Sequence, residues 1–272
     1  MLPGDSDNHG GNAGEAASKA AVSSKGSKKS GLAVIGTEFG CGKTVLVTGL
    51  AAMLKGNGFS VRAIKPIVTG KRKDIEAELS FISSITQTTF SESPFVLEPE
   101  VGISSANWQK IIAASQYYLE LTLVELPGSA ASPLSFDFHP KSRKVTAWKD
   151  CADLALQIAR GVLLVAKHDL SALEKLTVHS SYLTNKGVKL LGLITVETTA
   201  DGGTELERLL GRDAFELSLL ARTGIPYLGC IKYSPSVSVL SVNQGNLIKL
   251  TSAGLELLEM LKALNLPIPT SF

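Results

Sequence analysis

Short apolar runs alternate with amphipathic segments along the chain from residue 31 onward. Apolar runs bounded by Gly, Pro or charged residues predict buried strands, and apolar residues spaced three or four positions apart predict helices. We expect strands at 32–35, 58–65, 121–126, 161–166, 187–196 and 225–231. We expect helices at 45–54, 74–85, 107–119, 150–159, 172–183, 206–223 and 247–264. Strands that alternate with helices are typical of βαβ units, so the fold class is α/β with a mainly parallel sheet.

A glycine-rich loop joins the first predicted strand to the first predicted helix. It reads GTEFGCGKT over 36–44 and ends in Lys43 and Thr44. A strand, such a loop, Lys-Thr and a helix form a phosphate-binding P-loop, whose unpaired N–H groups at the helix start attract anions. Lys43 would contact the β- and γ-phosphates, and the Thr44 hydroxyl would bind Mg²⁺. The residues expected to bind the phosphates are Gly40, Cys41, Gly42, Lys43, Thr44 and Val45.

The spacing of this loop differs from the usual pattern GxxxxGK[ST]. Thr37 stands where that pattern has its first glycine, and Gly36 comes one residue earlier. The loop therefore contains one extra residue, although its strand, its Lys-Thr pair and its helix stay in register.

Two charged residues lie at the ends of strands that follow the P-loop. Lys65 ends the second strand, and ligands of α/β sheets bind at the carboxyl ends of strands, although a solvated lysine is the alternative. Glu125 lies near the end of the buried run 121–126, where an acid needs either a partner or a metal ion. We expect a loop over 127–140 to cover the phosphates.

Composition narrows the class of protein. The chain has 272 residues, of which 44% are hydrophobic and 19% charged, which suits a single globular domain over 31–272. The net charge of +2 gives no reason to expect a nucleic-acid partner. No apolar run reaches eighteen residues, so no membrane partner is expected. Three scattered cysteines fit no disulfide framework and favour a reducing, cytoplasmic location.

The first thirty residues differ from the rest. They are rich in Gly, Ser, Ala, Asn and Lys, and they contain almost no large apolar side chain. Such a segment buries too little surface to offset the entropy of ordering it. We expect residues 1–30 to be a disordered tail; they lack the apolar core of a signal peptide.

Five features in their order and spacing resemble the dethiobiotin synthetase family. They are the loop GTEFGCGKT, the segment KPIVTG at 65–70, Asp74, a strand that ends in Val-Glu at 124–125, and LLGLI at 190–194. The resemblance covers about residues 31–235, and the family's P-loop carries the same extra residue. It implies a P-loop NTPase-type domain in a homodimer that uses ATP and Mg²⁺. It also implies ring closure: 7,8-diaminononanoate and CO₂ form a carbamate, then a mixed anhydride with phosphate, then a cyclic urea.

The resemblance also implies roles for particular residues. The catalytic residues would be Lys43, Lys65 and Thr37. The metal ligands would be Thr44, Asp74 and Glu125, although Asp74 could instead simply cap its helix. The substrate would contact Phe39, Lys65, Thr69, Gly128, Ser129 and Ser171.

The sequence departs from the family pattern where substrate and base are bound. Leu126–Ser129 replaces a run of glycines, Val196 replaces an asparagine that contacts adenine, and Lys232 replaces a proline. One alternative is therefore a nucleotide-binding homologue that acts as a sensor or regulatory subunit. Another is a different amine- or carboxylate-activating ligase on the same scaffold.

Overall fold

The computed structural model describes residues 31–86, 95–96, 102–116, 121–139 and 141–268; the predicted tail at 1–30 lies outside these ranges. The strands are β1 Gly31–Gly36, β2 Val61–Ile64, β3 Ile67–Val68, β4 Phe95–Val96, β5 Leu121–Ser129, β6 Pro133–His139, β7 Lys144–Asp150, β8 Ala159–Lys167, β9 Leu190–Val196 and β10 Tyr227–Ile231. The helices are α1 Lys43–Gly56, α2 Arg72–Thr86, α3 Ser105–Ser115, α4 Cys151–Ile158, α5 Ala172–Asn185, α6 Thr204–Leu210, α7 Arg212–Thr223, α8 Leu247–Gly254 and α9 Leu257–Ala263.

A parallel sheet in the order β10-β9-β8-β1-β5-β2 forms the centre of the fold. The predicted α/β class is therefore confirmed. Strand β1 pairs with β5 on one side and with β8 on the other. Because parallel strands end at the same edge of a sheet, the P-loop after β1 lies beside the carboxyl end of β5. Val34 of β1 pairs with Glu125 of β5, which brings that acid to the P-loop.

Two apolar cores cover the two faces of the sheet. Ala33 and Ile35 of β1 belong to the core that contains helices α3, α4, α5 and α7. Leu32 and Val34, which point to the other face, belong to the core that contains α1 and α9. All four side chains are fully buried, as expected for a strand that is covered on both faces. None of the helices in the described ranges combines the length and apolar character needed to cross a bilayer.

The region predicted as a loop over 127–140 contains regular structure instead. Strand β5 continues to Ser129, and β6 and β7 then form an antiparallel hairpin. The segment LSFDFH at 134–139 alternates apolar and polar residues, which is the pattern of a strand, so the sequence did contain this signal. The helix predicted from residue 150 begins at Cys151, and Asp150 caps it through a reciprocal capping box with Asp153.

Two helices that were predicted as continuous are divided. The segment 206–223 breaks at Gly211, where φ is 70° and ψ is 160°. The segment 247–264 breaks at Leu255, which forms an antiparallel bridge with Gly229 of β10. This bridge needs close backbone approach, since a Cβ atom at Gly254 would lie 2.1 Å from the carbonyl oxygen of Cys230. The tertiary contact with β10 therefore ends α8.

Candidate active site

The P-loop presents the start of α1 to the carboxyl edge of the sheet. Gly42 is the N-cap of α1 and adopts a left-handed conformation, with φ 92° and ψ 15°. No side chain in the described ranges caps this helix, and its first turn carries no acid. The unpaired N–H groups and the positive end of the helix dipole are therefore available to an anion.

The ammonium of Lys43 crosses the loop and is almost completely buried. Its Nζ donates to the backbone carbonyl oxygens of Glu38 and Gly128, at 3.1 Å each. It also lies 5.9 Å from the centroid of the Phe39 ring. These partners place one positive charge between the P-loop and the end of β5. An incoming phosphate would meet that charge together with the N–H groups of α1.

Glu125 is a buried acid at the centre of the site, with 1% of its surface exposed. Its Oε1 accepts a hydrogen bond from Thr44 Oγ1 at 2.9 Å and another from Lys65 Nζ at 2.7 Å. Its Oε2 is buried and has no hydrogen-bond partner among the described residues. A buried oxygen usually has a partner, and a free carboxylate oxygen beside a threonine hydroxyl is a donor set that suits Mg²⁺.

Lys65 lies between two carboxylates. Besides Glu125, its Nζ contacts Glu78 Oε2 of helix α2 at 2.5 Å. Burial alone lowers the pKa of Lys65, but the charges and hydrogen bonds of Glu125 and Glu78 outweigh this effect and raise it. Lys65 is therefore protonated at neutral pH.

These side chains open into a cavity of about 350 Å³. The P-loop, Lys65, Glu78 and Glu125 line one end of the cavity. The other end is formed by the loops that follow β9 and β10 and by helix α8. A volume of this size suits a small organic ligand.

Comparison with known proteins places the chain in a family. The profile of an AAA domain family matches residues 30–239. The ATP-dependent dethiobiotin synthetase BioD of Hydrogenobaculum sp. is 30% identical over 175 residues, which is 60% of this chain and 75% of that protein. The chain belongs to the dethiobiotin synthetase family. The BioD protein of Mycobacteroides abscessus is 29% identical over 191 residues, which is 67% of this chain and 79% of that protein. The BioD protein of Bacillus licheniformis is 25% identical over 183 residues, which is 60% of this chain and 72% of that protein.

Solved structures agree on the fold. A chain of the MinC:MinD cell division protein complex of Aquifex aeolicus has a TM-score of 0.54 and covers 89% of this chain and 98% of its own length. The MinD cell division protein of the same organism has a TM-score of 0.52, covering 88% of this chain and 98% of its own length. At 12% identity, these two likenesses show the P-loop fold alone.

Most residues that the dethiobiotin synthetase resemblance singled out line the cavity. They are Phe39, Gly40, Gly42, Lys43, Thr44, Val45, Lys65, Thr69, Glu125 and Gly128. Glycine is required at Gly42, because a Cβ atom there would lie 2.6 Å from the Val196 side chain.

The other predicted residues do not line the cavity. Thr37 and Cys41 are buried, and the hydroxyl of Thr37 has no partner among the described residues. The Ser129 N–H donates to the Ser132 hydroxyl, and the Ser171 hydroxyl donates to Asp169 Oδ1 at 2.6 Å. Their predicted roles in the dethiobiotin synthetase reaction remain predictions.

Glu78, for which no role was predicted, lines the cavity, whereas the predicted metal ligand Asp74 does not. Asp74 is half-buried near the start of α2 and does not line the cavity, whereas Glu78, one helical turn later, contacts Lys65. Sequence reasoning missed Glu78. The available signal was the four-residue spacing of the two acids, which places both on one face of a helix beside the strand that ends at Lys65.

The far end of the cavity contains two of the departures from the dethiobiotin synthetase pattern, Val196 and Lys232. Val196 lines it together with Glu197 and Lys232. Glu197 accepts hydrogen bonds from Lys232 Nζ at 2.7 Å and from the Tyr233 N–H at 3.1 Å. Lys232, which replaces the proline of the family pattern, is therefore paired with the residue that follows Val196. Val196 and Lys232 were identified from the sequence as departures, but this ion pair was not predicted.

Proposed function

We propose that the protein is an ATP-dependent ligase of biotin synthesis that closes a cyclic urea from 7,8-diaminononanoate and CO₂. Family membership supports the ATP-dependent ligase class, since the relatives are named ATP-dependent dethiobiotin synthetases. The observation that carries the proposal is the position of Lys65. Its ammonium is held by Glu125 and Glu78 beside the P-loop, where a carbamate and a γ-phosphate would meet.

The proposed reaction has three bond-making steps. One amine of the diamine attacks CO₂ and loses a proton, which gives a carbamate. A carbamate oxygen then attacks the γ-phosphorus of ATP, and the bond to the leaving ADP breaks. The second amine attacks the carbamoyl carbon and loses a proton to solvent, the bond from that carbon to the phosphate oxygen breaks, and phosphate leaves as the urea ring closes.

The residues contribute mainly position and charge to these steps. The start of α1 and Lys43 bind the phosphates, and Lys65 stabilises the negative charge on the carbamate and on the transferring phosphoryl group. Phe39, which is 64% exposed at the cavity, offers an apolar surface for the hydrocarbon chain of the diamine. Glu78 offers a negative charge to an incoming amine.

Mg²⁺ is the second cofactor in this proposal. Thr44 and Glu125 would hold it, since Glu125 Oε2 is free to coordinate, and Asp74 remains the third predicted ligand. The ion would neutralise negative charge on the phosphates when bound.

Glu125→Gln is expected to raise the Mg²⁺ concentration needed for half-maximal rate by about tenfold or more. The amide keeps the shape of the side chain but removes the negative charge that attracts the ion. The measurement is initial rate against Mg²⁺ concentration at saturating ATP. Glu76→Gln on the exposed face of α2 is the matched control. Unchanged activity at low Mg²⁺ would show that Glu125 is not a ligand.

Glu78→Gln is expected to reduce kcat/KM for the diamine by about 10–100-fold, because it removes a charged partner of Lys65. Asp74→Asn is expected to have the smaller effect, since Asp74 does not line the cavity. Both variants are compared by steady-state kinetics at saturating Mg²⁺. A larger loss in Asp74→Asn would instead favour the metal-binding role that the resemblance implies for Asp74.

One assay tests the proposed function. Purified protein is incubated with diamine, bicarbonate, Mg²⁺ and ATP, and dethiobiotin and phosphate are measured. Equal amounts of both products are expected. If neither forms while ATP still raises the melting temperature, the ligase proposal is wrong and the protein is a nucleotide-binding sensor.

We also propose a cytoplasmic homodimer, carried over from the family resemblance. Exposed apolar side chains on α5 and α7, namely Val178, Leu217 and Leu220, are compatible with a covered surface. Light scattering is expected to give twice the mass of one chain; the mass of a single chain would contradict the dimer.

A further inference from the structure

A second group of polar side chains lies outside the proposed reaction centre. His168 directly follows strand β8, Glu197 directly follows β9, and Cys230 lies near the end of the neighbouring strand β10. Glu207 lies on helix α6. We call these four residues the β8–β10 cluster. Glu197 and its partner Lys232 also line the far end of the cavity described above, so the cluster adjoins that end.

Three side chains of the cluster lie close enough together to share one ion. A ring nitrogen of His168, a carboxylate oxygen of Glu197 and the sulfur of Cys230 all lie within 4.8 Å of one another. Glu207 Oε1 lies 3.7 Å from His168 Nε2. The other ring nitrogen, Nδ1, is 2.9 Å from the Thr195 hydroxyl, which fixes the ring and turns Nε2 toward the carboxylates.

The cluster already holds a positive charge. Lys232 Nζ is 2.7 Å from Glu197 Oε1 and 2.6 Å from Glu207 Oε1, so one ammonium bridges both carboxylates. The Lys232 side chain is 50% exposed and has a flexible stem, so it can leave this position without disturbing the core. The two carboxylates would then face a histidine and a cysteine with no cation between them.

We propose that the β8–β10 cluster binds a zinc-type divalent cation, which takes the place of the Lys232 ammonium. One nitrogen, one sulfur and two carboxylate oxygens form a four-ligand set, and thiolate with imidazole selects Zn²⁺ over Mg²⁺. On binding, the Cys230 thiol gives its proton to solvent and coordinates as a thiolate. A dication with a thiolate and two carboxylates carries one net negative charge. The same net charge is present when Lys232 occupies the position and the thiol is protonated.

A second cavity gives an ion access to these ligands. It has a volume of about 190 Å³ and is lined by His168, Glu207, Cys230 and Lys232. The buried His168 thus faces an open space, and a replaced Lys232 has room to move.

Cobalt provides a direct probe. The full chain is freed of metal with a chelator, and its cysteines are kept reduced. It is then titrated with Co²⁺ in the presence of excess Mg²⁺, which occupies the sites whose ligands are oxygen atoms. We expect one equivalent of Co²⁺ to give a thiolate-to-cobalt charge-transfer band in the near ultraviolet, and Zn²⁺ to abolish the band. Binding at the phosphate end gives no such band, because oxygen atoms are the ligands there. If the parent protein gives no thiolate band, the proposal is wrong.

Matched variants locate the site. Cys230→Ser is expected to abolish the band, and Glu207→Gln to weaken Co²⁺ affinity by about tenfold or more. Lys232→Met is expected to tighten binding, since it removes the competing ammonium. Cys151→Ser is the control, because that buried thiol donates to the carbonyl oxygen of Pro127 and is not in the cluster. A band that survives in folded Cys230→Ser, or that is lost in Cys151→Ser, would overturn the assignment.

Discussion

Lys65→Met is expected to lower kcat for dethiobiotin formation by roughly 10²–10³-fold, the cost of removing one preorganised group that stabilises transition-state charge. The ammonium is 2.7 Å from Glu125 and 2.5 Å from Glu78, and only 8% of its side chain is exposed. It is therefore fixed in place before substrate arrives, which is the condition for effective electrostatic catalysis. The measurement is single-turnover production of dethiobiotin with all substrates saturating.

The control for this prediction is Lys71→Met. Lys71 is an exposed lysine in the same loop region, so its loss changes the net charge by the same amount without removing a buried ammonium. We expect its kcat to stay within about twofold of the parent. A folded Lys65→Met protein with nearly normal kcat would exclude the proposed role of Lys65.

The same substitution has a consequence for stability. It leaves Glu125 buried without its cation, and breaking such a pair costs about 3–5 kcal/mol of the free energy of unfolding. Because the pKa of Lys65 is raised in the folded state, its contribution is complete below its unfolded pKa of 10.5 and is lost as pH rises through the folded value. Kinetics must therefore be measured near neutral pH and well below the melting temperature of the variant.

The parts of the fold that depend on local sequence were predicted correctly. The strand, glycine-rich loop and helix around Lys43 form a contiguous unit, so their pattern is complete in one stretch of chain. Glu125 was predictable because an acid in an otherwise apolar strand calls for a specific partner. Lys65 was predictable because the end of a strand fixes its position at the ligand-binding edge.

The parts that depend on tertiary contacts were not. The contact of Glu78 with Lys65, for which nothing was predicted, depends on how far α2 is displaced along its axis relative to β2, and neither propensity nor spacing contains that distance. The break between α8 and α9 comes from the bridge of Leu255 to Gly229, some 25 residues away in sequence. The pairing of Glu197 with Lys232 likewise needs two loops to be brought together by β9 and β10.

These errors have a common physical basis. A side chain at the end of a central strand is fixed by the sheet, whereas a side chain on a helix or in a long loop is placed by packing against other elements. The end of the cavity near Lys43 is built mostly from strand ends and the P-loop, and the end near Val196 is built mostly from loops. The positions of side chains were accordingly easier to predict at the P-loop end.

Lys43→Ala is expected to abolish the stabilisation of the protein by ATP. A ligand that binds only the folded state at about 100 times its Kd adds about 2.7 kcal/mol to the free energy of unfolding, or about 5–10 °C in melting temperature. Lys43 is the buried cation at the start of α1, and its Nζ contacts carbonyl oxygens on both sides of the P-loop. Without it, the phosphates lose their point-charge contact, and the N–H groups of α1 must bind the triphosphate alone.

The measurement is the melting temperature of parent and variant at increasing ATP with constant Mg²⁺. Lys175→Ala is the matched control. Lys175 Nζ also contacts Glu38, but it lies 2.6 Å from the side-chain oxygen Oε1 on the outer side of the loop, whereas Lys43 contacts the backbone carbonyl oxygen of Glu38. The control is expected to keep the full ATP-dependent shift. An equal shift in Lys43→Ala would show that ATP binding does not depend on Lys43, and the proposed binding of the phosphates at the start of α1 would then fail together with the role of Lys65.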